Sequence, residues 1–269
     1  MTYDSNARKA YKAQARADIR ANFWVTMAAV LVELVPLFLI SMIMLVAVNG
    51  ISDNPTMAEM LRLYQYLGIY VVASFLIGGP ITFGAKHYFV ARARGEQCSV
   101  SQVLTCFSSL KKYLTSLKLS LCIALRSLGW LLLLYAVMFV TLLPLLFITN
   151  GGLADLLMLV WAVIMIVLAL FIGVKIRRYD GAYICMIDTP DASVWEAVQA
   201  CVPIFKGHNW ELMLFDLSFL LWGLASMITL GIVGVYATAY QEISFVHYFD
   251  ALCGREKHEP VYPPEMPEQ

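Results

Sequence analysis

The residues that could do chemistry in this 269-residue chain are few, and they stand in apolar surroundings. Glu33 interrupts the run FWVTMAAVLVELVPLFLISMIMLVAV, and Asp216 interrupts WELMLFDLSFLLWGLASMITL. Arg177, Arg178 and Asp180 follow the apolar run that ends FIGVKI, and Glu242 lies within YATAYQEISFV. An ionisable side chain deep in a membrane span costs on the order of 2.5–3.5 kcal/mol on insertion scales, so it needs a partner or a purpose. Arg177 and Glu242, with Thr82, Arg178, Asp180, Glu33 and Asp216, are expected to form a polar cluster in which Arg177 pairs with Glu242. A cavity of that kind suits an anion, a lipid headgroup or a proton. The plainer alternative is structural: opposite charges satisfy each other while Lys86 and Arg178 snorkel to the headgroups. Glu33 lies nine residues past Trp24, roughly 13 Å along a helix, and has no partner legible in the sequence. It is expected to face a neighbouring span in protonated form.

Other chemistry is poorly supported. Asp180, Asp188 and Asp191 could hold a divalent cation at headgroup level, but Asp188-Thr-Pro190-Asp191 is also a helix-stopping turn with an N-cap. The four histidines, His87, His208, His247 and His258, lack metal-ligand spacing. The six cysteines, Cys98, Cys106, Cys122, Cys185, Cys201 and Cys253, form no CxxC and read as small apolar fillers. No nucleophile elbow, phosphate loop or dinucleotide fingerprint is present. No catalytic residue, metal or cofactor is expected, and no basic patch with interleaved aromatics points to nucleic acid.

The elements that must position these groups are membrane helices. Hydrophobic residues make up 60% of the chain and charged residues 14%, against about a quarter charged in a soluble domain. The apolar residues fall in blocks long enough to cross a bilayer. The expected fold is all-α: a polytopic membrane helix bundle with six transmembrane helices, at about 23–48, 66–90, 115–148, 153–187, 210–229 and 231–252. It forms a single transmembrane domain over 1–254, followed by a proline-rich, disordered tail over 255–269. The polar lead of some twenty residues is too long for a secretory signal. Short amphipathic runs at Val100–Leu110 and Ser193–Phe205 are expected as interfacial helices, with Val194, Ala197, Val198, Cys201 and Phe205 sharing one face. The second span holds Gly78-Gly79-Pro80, which reads as a kink or a close-packing point.

Lysine and arginine set the topology. Five lie in the N-terminal lead, six between Lys86 and Lys118, four between Lys175 and Lys206, and two in the tail, while the opposite side holds Arg62. That bias places both termini in the cytosol, with Trp24 and Trp210 at the inner interface. A five-span alternative fuses the last two spans and puts the C-terminus outside.

The chain also reads as a threefold repeat. Ser5, Ser99 and Ser193 recur at equal spacing and each opens a short helical run. His-Tyr-Phe occurs at 87–89 and again at 247–249. Setting Tyr88, Tyr183 and Tyr248 level aligns Ser74 with Ala169 and Gly234, Gly78 with Gly173 and Thr238, and Thr82 with Arg177 and Glu242. The first two layers make a small-xxx-small stripe, which lets helices approach closely in lipid. Spans two, four and six are therefore expected to pack together near the centre.

These residues carry a family resemblance. Gly79-Pro80 and Gly84, the Asp188-x-Pro190 turn, Ser193 with Glu196-Ala197, Lys206-Gly207 and the opening Asn22-Phe-Trp24 together resemble the DUF975 family of bacterial multi-pass membrane proteins. The resemblance covers about Ala7 to Leu252. It implies a bacterial plasma-membrane protein of about six spans and transfers no functional residue, because the family has no known function. Arg177-Arg178 and the tail depart from it. The expected function is therefore a non-catalytic structural, assembly or envelope component. A small transporter with a polar inner-leaflet cavity is the alternative, and a lipid-active enzyme stands behind both. The expected partners are the lipid bilayer, its phospholipid headgroups and other membrane proteins.

Overall fold

The computed structural model describes residues 5–49, 56–145 and 151–255. The tail expected beyond Arg255 lies outside the described residues. The described chain is helical throughout: α1 Ser5–Ala21, α2 Phe23–Asn49, α3 Met57–Ala73, α4 Gly79–Ala93, α5 Leu110–Leu145, α6 Gly151–Arg177, α7 Gly181–Asp188, α8 Val194–Ile204, α9 Asn209–Leu217, α10 Leu220–Ile228 and α11 Ile232–Leu252. A π segment, Ser74–Gly78, joins α3 to α4, and 3-10 segments occupy Val100–Ser108 and Arg178–Asp180.

Five stretches are long and apolar enough to cross a membrane: Phe23–Leu45, Met57–Ala93, Leu110–Leu143, Asp155–Asp188 and Asn209–Ile228. Their outward faces carry apolar side chains with no protein cover, such as Phe139 at 63% exposure and Ile166 at 60%. A soluble protein would bury such surface, and lipid accepts it without cost. The last helix, α11, is 21 residues long and includes Glu242 and Asp250, and it is not among the five.

The chain divides into two compact units, Met1–Ser120 with Phe219–Gln269, and Leu121–Ser218. In the first unit α1, α2 and α4 pack against α11. The core there is aromatic and aliphatic: Ile19, Val30, Tyr88, Phe89, Tyr240, Ile243, Phe245 and Phe249 are all buried. The 3-10 segment Val100–Ser108 lies tightly on α4, because a Cβ at Gly84 would collide with the backbone carbonyl of Val103. Val103 and Cys106 turn inward, three residues apart, while Leu104, Phe107 and Leu110 are exposed. The expected α-helical face on this run is thus corrected: a 3-10 helix brings every third residue to the same side.

The π segment has a covalent cause. Pro80 has no N–H to bond the carbonyl of Leu76 one turn earlier, and its ring crowds that turn. The hydroxyl of Tyr113 donates to the Leu76 oxygen at 3.1 Å and restores the missing bond.

In the second unit α7 packs on α8. Ala182, Ile184 and Met186 of α7 are buried, as are Ala197, Val198 and Cys201 of α8 and the following Phe205. The face read from the sequence is the face that packs. Ser193 opens α8 with a capping box, accepting from the Glu196 N–H while the Glu196 carboxylate accepts from the Ser193 N–H.

At Gly231, with φ +90°, the chain turns from α10 into α11, after Leu230 at φ 51°. That left-handed turn separates the last two helices.

The expected small-residue stripe needs correction. A Cβ at Gly78 would meet Leu37 of α2 at 2.9 Å, and one at Gly234 would meet the Ser226 hydroxyl of α10. Ala169 and Gly173 of α6 are exposed, with nothing within 4 Å of a Cβ at Gly173. Ser74 sits in the π segment, and Thr238 donates its hydroxyl to the Gly234 carbonyl at 2.9 Å within its own helix. Gly78 and Gly234 thus serve separate local approaches, each to a helix beside its own.

Candidate functional site

The polar groups inside the first unit line up along α4 and α11. Lys86 donates to Glu242 in a pair whose side chains are 10% and 14% exposed. Two turns further on, Arg94 clamps Asp250 through both Nε, at 3.0 Å, and Nη2, at 2.8 Å. Arg255 reaches the same carboxylate at 2.7 Å. Both cross-helix pairs join residues 156 positions apart. The two helices therefore run in the same direction, with basic residues on one matched to acidic residues on the other at the same spacing. The register expected from the sequence would set Glu242 level with Thr82, one turn before Lys86 on α4, whereas the bond sets it against the Lys86 ammonium. A lysine stem leans toward the N-terminus of its own helix and spans about that distance. Thr82 itself is half-buried, and its side chain makes no hydrogen bond among the described residues.

Helix α1 closes one end of this row. The Asp18 carboxylate meets Nε2 of His247 at 2.7 Å, and its backbone carbonyl accepts from Nε of Arg92 at 3.0 Å. Arg16 donates to the Tyr240 hydroxyl at 3.0 Å. Thr26 and Tyr88, both fully buried, share a hydrogen bond of 3.1 Å. Lys12 lies 4.1 Å from the Phe219 ring centroid. Burial, with Arg8 and Arg16 nearby, pulls its ammonium down to about 8.

Glu33 projects from α2 into the field of Glu242 and Lys86. The residue as a whole is half-buried, yet its Oε2 is enclosed and has no hydrogen-bond partner among the described residues.

The second unit has its own cluster. Arg177 pairs with Asp180 one turn on, and its Nε lies 3.6 Å from Asp216 of α9. The expected pairing of Arg177 with Glu242 is corrected accordingly: Arg177 takes acids of its own unit, and Glu242 takes Lys86. The physical reason is proximity, since Asp180 is on the next turn of the same helix end. The Nε of Arg178 is buried and lacks a hydrogen-bond partner among the described residues. Arg126 lies over Trp195, at 4.5 Å from the ring centroid, and 5.9 Å from Tyr179. Trp130 donates to the Tyr179 hydroxyl at 3.2 Å. Burial pushes the Cys201 thiol up to about 12, which makes it inert. Asp188 ends α7 and Asp191 is exposed in the following turn. Among the described residues no three His, Cys, Asp or Glu side chains gather as a metal site.

Three features were missed from sequence: Lys86 as the partner of Glu242, the Arg94–Asp250 pair, and Asp18 as the tie between α4 and α11. A signal existed for the first two. Lys86 and Arg94 are spaced as Glu242 and Asp250 are, so the helices carry complementary charge rows.

Several apolar helices long enough to span a bilayer mark a multi-pass helical membrane protein. The chain belongs to the family described as "Protein of unknown function (DUF975)", whose model matches residues 1–256. No curated protein and no solved structure matches it.

Proposed function

We propose that this is a non-catalytic component of a bacterial plasma membrane, serving a structural, assembly or envelope role. It would cross the bilayer six times, with α11 as the sixth span and both termini in the cytosol. At 21 residues, α11 reaches roughly 31 Å, the thickness of a hydrocarbon core of about 30 Å. The lysine and arginine bias supports the orientation. One observation carries the functional reading. The ionisable groups of the first unit act as braces between helices, as in Lys86–Glu242, Arg94–Asp250 and Asp18–His247. Charges committed to one another hold a bundle together and leave little for a substrate.

The test replaces the brace. Lys86→Met or Glu242→Met alone strands a buried charge and costs about 3–5 kcal/mol, whereas the double change is close to neutral. A structural role expects the double variant to accumulate in membranes and to restore detergent resistance to cells lacking the protein. A double variant that accumulates fully but fails to restore that resistance would overturn the reading. A second reading, a small transporter with a polar cavity, is favoured by the unpartnered Oε2 of Glu33.

A further inference from the structure

We infer that Glu33, Lys86 and Glu242 form a proton-binding site, in which one exchangeable proton sits on the Glu33 carboxyl. The inference goes beyond the structural role proposed above and does not require that any solute move.

Charge comes first. Three packed helices carry two carboxyls and one ammonium: Glu33 stands on α2, which packs on both α4 and α11, and the Lys86–Glu242 pair joins those two helices. Lys86 is bonded to Glu242. With both acids ionised, the cluster would hold one uncompensated negative charge inside the bundle. Hydrogen bonding gives the same answer. A buried carboxylate oxygen demands donors, and Glu33 Oε2 has none among the described residues. A carboxylic acid removes the charge and one acceptor demand together.

Among the described residues, Lys86 is the cation that acts on Glu33. On α1, Arg16 is bonded to Tyr240, and Asp18 to His247 and Arg92. On α3, Glu59 is held in the cap of Thr56. The segment Val100–Ser108, which also lies on α2, has no acidic or basic side chain. The charges that act on Glu33 are those of Glu242 and Lys86. An alkali-metal ion fits less well than a proton, because it needs several oxygens and would sit beside the Lys86 ammonium. The step balances simply: a proton passes from hydronium to Glu33 Oε2, one O–H bond forming there as one breaks on the hydronium, which is left as water. When the proton leaves, Glu33 and Glu242 compete for Lys86, so proton loss is felt on α2, α4 and α11 together.

The experiment treats the full-length protein, in phosphatidylcholine nanodiscs, with a hydrophobic carbodiimide, whose nitrogen takes the proton of a carboxylic acid in apolar surroundings while the carboxyl oxygen adds to its central carbon. Adducts are mapped by peptide mass spectrometry. Glu33 should carry the adduct and Glu242 should be nearly free of it. The yield should fall as pH is raised and should not change with added sodium. Absence of the adduct from Glu33, a yield indifferent to pH, or protection by sodium would each overturn the assignment. Glu33→Gln supplies a second measurement, since the amide matches a neutral acid in size. It should keep the thermal midpoint of the parent, and a large drop would show that the native group is ionised.

Discussion

Single residues show how far burial governs chemistry in this chain. Glu33 was legible from sequence as an acid out of place, because nothing polar lies near it in its own helix. Its neighbours were not legible, since they come from helices far along the chain. Lys86 was read as a snorkelling lysine, a fair reading of a cation near a span end, but α11 brings Glu242 within reach of its ammonium. Lys12 yields a prediction at this scale. Its folded pKa, about 8, lies below the ordinary 10.5. Between those values the unfolded chain keeps the proton and the folded chain releases it, so stability rises with pH there. The wild type should therefore gain thermal midpoint relative to Lys12→Met as pH is raised through about 8. An unchanged difference between the two would mean that the ammonium is solvated.

Elements were legible where periodicity belonged to one helix. The α8 face and the Ser193 start follow from residues within a turn or two of each other, and both form as read. The run after Ser99 was misjudged because an α-helical and a 3-10 helical face share their early positions, and only packing on α4 decides between them. The small-residue stripe failed for a different reason. Equal spacing on three helices says nothing about what each one faces, and Gly84, outside the stripe, makes the closest approach of all. Gly84→Ala should therefore drive the Val100–Ser108 segment off α4. The expected loss is about 1–3 kcal/mol, as for overpacking in a core, read as a lower unfolding temperature with raised amide exchange at Val103 and Cys106. Gly173→Ala, with open space around it, is the matched control and should change neither.

The whole molecule was legible as a class. Blocks of apolar residues announce membrane helices, and composition alone separates this chain from a soluble domain. The count of spans is harder, because α11 mixes Glu242, His247 and Asp250 into an otherwise apolar helix. Its polar side chains face α1 and α4, and a hydropathy reading cannot know that. Orientation is testable through cysteine. Cys253 is exposed just past α11, while Cys106 and Cys201 are buried. Burial raises the Cys106 thiol to about 11 and the Cys201 thiol to about 12. A membrane-impermeant maleimide should label Cys253 in inside-out vesicles and leave it untouched in intact cells. Labelling in intact cells would place the C-terminal end of α11 outside.

The meeting of α1 with α11 has a consequence for biosynthesis. A ribosome makes α1 first and α11 after every other described helix, so Asp18 must wait for His247, and Lys86 for Glu242, through most of translation. Until then the early helices carry exposed charges into the lipid, where quality-control proteases and insertion chaperones recognise unfinished chains. A nascent chain halted before Ile232 should thus be short-lived, and its lifetime in a pulse-chase should lengthen when α11 is supplied as a separate polypeptide.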